Sequence, residues 1–138
     1  MIQAALPELR KTKGRIVITS SGAASGAYQG WGAYGSGKAV LNHVAATLGV
    51  EEPDVTTVSI RPGVVDTEMQ RAIREEHNLA MSSTDQEKFH GLHKEGKLVR
   101  PEQPGGVIAS LAVRGDKSLS GKFLSWDDES LKGYRTDL

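Results

Sequence analysis

Arg15-Ile16-Val17-Ile18-Thr19-Ser20-Ser21 leads through a Gly/Ala/Ser-rich connection to Gly32-Ala33-Tyr34-Gly35-Ser36-Gly37-Lys38-Ala39-Val40, and this stretch decides how the 138-residue chain is read. Ile16-Val17-Ile18 is a β-branched run without polar alternation, the pattern of a strand buried on both faces. Residues 33–50 follow a helical repeat, with apolar side chains at Ala33, Val40, Leu41, Val44, Ala45 and Leu48 and a glycine, Gly49, near the end. Inside that helix Tyr34 and Lys38 stand four residues apart and so share one face, where an ammonium favours phenolate over phenol. An ordinary phenol titrates near pH ~10, too high for easy proton exchange at neutrality. The pair makes Tyr34 a candidate acid/base, and Ser21 lies thirteen positions before it.

Upstream, residues 4–11 read as the end of a helix closed at Lys13-Gly14, with cations where the helix dipole favours them. Downstream, Val55 to Ile60 is a second buried strand, stopped at Arg61-Pro62-Gly63 because proline has no amide hydrogen to donate. Residues 69–97 are polar and charged, with Phe89 and Leu92 among the few apolar positions, and predict one or two surface helices. Pro101 opens a helix reaching Val113, residues 121–126 form a third strand around Phe123 and Leu124, and the tail after Asp127 is expected to be irregular. The alternation predicts an α/β fold with parallel strands joined by right-handed crossovers. Ligands of such sheets bind beyond the carboxyl ends of the strands, where Ser20-Ser21, Pro62-Gly63 and Trp126-Asp127 all fall.

Composition narrows the function. Lys+Arg and Asp+Glu number 17 each, so no overall positive charge attracts nucleic acid. Cysteine is absent, which removes disulfide and thiol chemistry. The first residues lack the basic lead and long apolar run of a secretory signal. Residues 16–37 are uncharged but rich in Gly, Ser and Thr, whereas a bilayer span needs about 20 predominantly apolar residues. A soluble, cytoplasmic chain with no membrane partner is expected. His90 and His93, with His77 nearby, read as solvated histidines and not as a metal site, because zinc takes three or four ligands. Arg71, Arg74, Glu75 and Glu76 read as a solvated helix face. Tyr28 and Trp31 either line a substrate pocket or pack their loop. Ser21 has the alternative of capping a turn, and Thr67 that of capping the next helix.

The order of strand, Ser20-Ser21, Tyr34-x-x-x-Lys38 on a helix, strand, then Pro62-Gly63-x-x-x-Thr67 and Arg100-Pro101-Glu102 resembles the short-chain dehydrogenase/reductase family over nearly the whole chain. Locally, Gly30 to Gly35 and Ser120 to Asp128 are similar to a fungal subgroup close to sepiapterin and benzil reductases. The resemblance implies the C-terminal half of a doubly wound, Rossmann-like parallel sheet, with about three parallel strands and flanking helices. Residues 1–138 would be a single partial domain in which 70–98 form the substrate loop or lid. It implies that Tyr34 exchanges the proton with a carbonyl oxygen, that Ser21 hydrogen-bonds that oxygen, and that Lys38 binds nicotinamide ribose. Pro62, Gly63, Val65 and Thr67 would shape the nicotinamide pocket. The implied cofactor is NADP, with NAD as the alternative. The implied substrate is a small ketone, aldehyde or secondary alcohol, and the helices near 4–11 and 33–50 would pair subunits into a homodimer or tetramer.

The departures are as informative. The family's Thr-Gly-x-x-x-Gly-x-Gly turn, its Asn-Ala-Gly strand and its relay asparagine do not occur in the sequence, and Gly37 stands where serine is common. Asn42 lies beyond Lys38 and does not replace that asparagine. The chain therefore reads as the half that handles the proton, without the half that grips adenosine and pyrophosphate. An inactive fragment serving as a dimerisation or interaction module is the alternative.

Overall fold

A computed structural model of the chain describes residues 1–135. Ile16-Val17-Ile18 form the middle of β1 (Arg15–Thr19), and β2 (Thr56–Arg61) and β3 (Phe123–Ser125) follow in the same sheet. All pairing is parallel in the order β1-β2-β3, with Arg15 opposite Thr56 through Thr19 opposite Ile60, and Ser59 opposite Phe123 through Arg61 opposite Ser125. The helices are α1 (Ile2–Thr12), α2 (Gly32–Glu51), α3 (Glu68–Glu75), α4 (Ser83–Lys94) and α5 (Glu102–Arg114). The three-stranded α/β sheet with flanking helices is the architecture that the sequence pattern predicts. β1 forms one edge of the sheet, and its outer side is unpaired among the described residues.

Successive side chains of a strand point to opposite faces, so β2 serves two layers. Val58 and Ile60 enter the main core with Val107 and Leu111 of α5, Leu119 and Leu131. α2 packs on the sheet and buries Ala45 and Leu48. Gly49 of the same helix meets the chain at Gly121 so closely that an added Cβ would lie 2.7 Å from Gly121 Cα and 2.8 Å from its nitrogen. Gly37 has no atom within 4 Å of such a Cβ. Alanine gains about 1 kcal/mol over glycine inside a helix, which Gly37→Ala collects in full. At Gly49 the overlap with backbone atoms costs about 1–3 kcal/mol and outweighs that gain. Urea midpoints are expected to rise for Gly37→Ala and fall for Gly49→Ala, with unchanged slopes.

α1 closes at Lys13-Gly14 as expected, with Lys13 in the left-handed region (φ 50°) and its amide donating to Leu9 O. Two sequence expectations need correction. The tail after Asp127 is not irregular: residues Glu129–Tyr134 form a 3-10 helix, Asp128 caps it by accepting from Ser130 N at 2.9 Å, and Leu131 is fully buried in the core. One leucine in a polar stretch closes the apolar layer under α5, and a single residue leaves no periodicity to read. Arg74 is buried rather than solvated; its guanidinium donates to Gln70 Oε1, while its carbonyl accepts from Asn78 Nδ2 at 2.7 Å. Arg71 stays exposed and pairs with Glu68 and Glu75.

At the amino ends of the strands, the last turns of α1, α2 and α5 meet, and their outward carbonyls carry partial negative charge. Cations answer it. Lys117 Nζ donates to Glu52 O at 3.0 Å and Val55 O at 2.7 Å, and Arg15 Nε donates to Gly115 O at 2.9 Å. Arg10 grips Glu52 with two hydrogen bonds, Nε to Oε2 at 2.8 Å and Nη2 to Oε1 at 2.6 Å, and so ties α1, which buries no residue of its own, to the end of α2. The hydrogen bonds from Arg10 hold the Glu52 carboxyl below its ordinary value of 4.5; burial opposes them and the guanidinium charge adds to them. A lowered folded-state pKa stabilises fully above the unfolded value and is lost as pH falls through the folded one. Arg10→Met is therefore expected to lower stability at neutral pH and to flatten the acid limb below about pH 4.5, read as urea midpoints against pH.

Candidate active site

Tyr34 and Lys38 stand one turn apart on α2, as the spacing predicts. The Lys38 ammonium donates to Thr19 O, the last carbonyl of β1, at 2.9 Å and lies 5.7 Å from the centre of the Tyr34 ring. Tyr34 is 40% exposed, and its ring meets Trp31 edge-on at 5.6 Å and 81°. Ser20 and Ser21 follow Thr19 directly. Ser21 caps a 3-10 turn (Gly22–Ala24), its Oγ accepting from Ala23 N at 3.2 Å. That is the capping role weighed from the sequence, and it leaves the hydroxyl hydrogen without an acceptor among the described residues.

The exit of β2 forms the neighbouring rim. Ser20 N donates to Ile60 O at 2.8 Å and Trp126 N to Arg61 O at 2.9 Å, which ties the ends of all three strands together. Pro62 and Gly63 turn the chain, Gly63 with φ 81° and with Val99 and the Trp126 ring beside it. Val65 bridges Val99, Asp66 N donates to Val99 O at 2.9 Å, and Val99 N donates to Val64 O at 2.9 Å. Thr67 caps α3, accepting from Gln70 N at 3.3 Å, while its own hydroxyl donates to Val65 O at 3.4 Å. Ser21, Tyr34 and Lys38 thus gather at the end of β1, and Pro62, Gly63, Val65 and Thr67 at the end of β2. The carboxyl rim of a parallel sheet is where such folds bind ligands.

Val99 and Lys88 carry no advance signal in the sequence. Val99 braces the Pro62–Thr67 turn together with Trp126, which the strand-end pattern already places at this rim, and Phe89 and Lys88 of α4 reach Trp31 and Tyr28. Ser20 Oγ is buried without a hydrogen-bond partner among the described residues. A groove of about 320 Å³ runs between residues 23–28 and the α2 face of Gly32, Gly35, Ser36 and Ala39, walled by Tyr28 and Trp31. Ser21, Tyr34 and Lys38 do not line it, so it lies beside the trio and not over it. Tyr28 and Trp31 line this groove and pack on one another, with ring centres 5.2 Å apart. His77, His90 and His93 are exposed. No helix among the described residues is long and apolar enough to cross a membrane.

The chain belongs to the short chain dehydrogenase family, whose model matches residues 1–78. An uncharacterized oxidoreductase of Schizosaccharomyces pombe is 44% identical over 91% of this chain and 51% of its own length. The benzil reductase ((S)-benzoin forming) IRC24 of Saccharomyces cerevisiae is 42% identical over 95% of this chain and 52% of its own. The crystal structure of the short chain dehydrogenase/reductase YIR035C from Saccharomyces cerevisiae superposes with a TM-score of 0.94 at 41% identity, covering 98% of this chain and 54% of that one. The chain spans about half the length of the curated relatives it matches.

Proposed function

We propose that this chain carries the proton-handling part of an NAD(P)-dependent oxidoreductase that interconverts a small carbonyl compound and its alcohol. Its main support is the Lys38 ammonium, held on Thr19 O at 2.9 Å and 5.7 Å from the Tyr34 ring, at the strand end where Ser21 also stands. In reduction Tyr34 gives its phenolic proton to the carbonyl oxygen, and in oxidation it takes that proton back. Ser21 donates its uncommitted hydroxyl hydrogen to the same oxygen and stabilises the charge that develops there. Lys38 commits one donor to Thr19 and keeps two for ribose hydroxyls. A bound nicotinamide supplies the hydride.

The residues present fit the nicotinamide end of such a cofactor. Lys38 has donors to spare, and the turn from Pro62 through Val65 to Thr67 is braced by Val99 and bends at Gly63 beside the strand end. They offer no Gly-rich turn for the pyrophosphate, so the chain alone is expected to bind the cofactor weakly. NADP is preferred to NAD on the similarity to benzil and sepiapterin reductases. The aromatic wall of Tyr28 and Trp31 favours a ketone with a flat apolar substituent. The test follows reduced-nicotinamide absorbance with aryl and alkyl ketones, for the chain alone and for the chain supplied with the N-terminal half of its yeast relative. Turnover that depends on Tyr34 supports the reading; no turnover in either setting opposes it.

A second reading, an interaction module forming a homodimer or tetramer, is favoured by the outward face of α2. Val40 is 60% exposed and Val50 85% exposed there, beside exposed Ala39 and Ala46. Exposed apolar patches of this kind mark association surfaces. Sedimentation is expected to show a concentration-dependent oligomer that Val40→Glu dissociates; a monomer at every concentration opposes this reading.

A further inference from the structure

Building on the reading of Tyr34 as acid/base, we propose that Phe89 of α4 is a positioning residue for Tyr34, acting through the Trp31 indole. The Tyr34 hydroxyl has no hydrogen-bond partner among the described residues, so neighbours of its ring hold it in place. Those neighbours are Lys38 at 5.7 Å and the edge-on Trp31 at 5.6 Å. Trp31 is in turn stacked on Phe89, with ring centres 5.8 Å apart and planes 12° from parallel. Phe89 is the one buried residue of a largely exposed helix whose other large apolar side chain, Leu92, is half-buried, and it lies 55 positions beyond Tyr34. The ring that holds Trp31 is thus also the most deeply buried side chain of α4, a helix that contacts α3 as well.

Two further contacts fasten the same pair of segments. Lys88 Nζ donates to the Tyr28 hydroxyl at 3.1 Å and stands 5.1 Å over the Tyr28 ring and 5.8 Å over that of Phe89. Gly30 (φ 81°) rests so close to the 3-10 turn Asn78–Ala80 that an added Cβ would lie 2.8 Å from Ala80 O. Residues 28–31 are thus held from the 78–89 side at Gly30, at Tyr28 and at Trp31, immediately before the helix turn that carries Tyr34. Lifting α4 unstacks Trp31 and frees the Tyr34 ring; seating α4 fixes it. Whatever covers the site through α4 therefore also aligns the acid/base.

The test labels the full chain with 3-fluorotyrosine and reads its fluorine NMR spectrum, assigning the three tyrosines with Tyr28→Phe and Tyr134→Phe. Phe89→Ala is expected to move the Tyr34 resonance and leave that of Tyr134, which sits against Arg114 on the other side of the sheet, unmoved. Phe89→Tyr, which keeps the stacked ring, is expected to restore the parent position. In a Trp31→Ala background, Phe89→Ala is expected to add no further shift. Lys88→Met, an exposed change that leaves the core intact, is expected to move Tyr34 in the same direction by less, and it keeps the test decisive if Phe89→Ala does not fold. A Tyr34 resonance that ignores both Phe89→Ala and Lys88→Met, or a Phe89→Ala shift that survives loss of Trp31, overturns the proposal. The readout needs no turnover, so it fails or succeeds separately from the oxidoreductase reading.

Discussion

Tyr34→Phe is expected to lower carbonyl reduction by roughly 10²–10⁴-fold, the usual worth of a positioned general acid. The substitution removes one oxygen and nothing else. Because the Tyr34 hydroxyl has no partner among the described residues and the ring is 40% exposed, stability should stay within about 0.5 kcal/mol of the parent. The phenylalanine ring keeps its edge-on contact with Trp31, so the geometry around Lys38 and Thr19 should persist. The loss should therefore fall on kcat, with the cofactor's affinity unchanged, because Lys38 and the Pro62–Thr67 turn are untouched. Steady-state kinetics at saturating cofactor, in the assembly that turns over, separate the two parameters. A Tyr34→Phe variant within about threefold of the parent would remove Tyr34 from the chemistry, since general acid catalysis contributes at least about 10²-fold.

The second large effect is structural. Leu111→Ala is expected to destabilise the chain by about 2–5 kcal/mol. Leu111 is fully buried on α5 between the β2 side chains Val58 and Ile60, with Leu119 and Leu131 closing the layer. Truncation loses the transfer free energy of three carbons and leaves a void that strands on one side and a 3-10 helix on the other cannot both fill. Such a loss is a large share of the total stability of a domain this size. Val113, two residues further on the same helix, is 75% exposed, and Val113→Ala should cost less than about 0.5 kcal/mol. Urea denaturation of the two variants side by side, with m-values compared, measures the contrast. Equal losses at both positions would mean that α5 does not sit on β2 as described.

Much of this site is legible in the sequence because short-range geometry fixes it. Tyr34 and Lys38 must share a face once residues 33–50 are helical, and Ile16-Val17-Ile18 has no polar side to expose. Proline at 62 must end a strand, so the rim beyond β2 follows as well. What is hidden depends on partners far away in the chain. Leu131 looks like one apolar residue in a polar tail until α5 and β2 leave a gap of its size. Arg74 shows the charge pattern of a solvated face, and only the fold buries it beside Gln70. Phe89 reads as an isolated aromatic in a charged helix, and nothing local to it names Trp31 as its partner.

The purely parallel sheet also governs how the molecule is made. Neither strand pair can form as a hairpin: Arg15 pairs with Thr56, and Ser59 waits for Phe123. Closing such wide loops costs entropy before any ladder bond returns it, which slows folding. During synthesis one edge of β2 therefore stays unpaired until β3 has emerged, because Ser59 has no partner before Phe123.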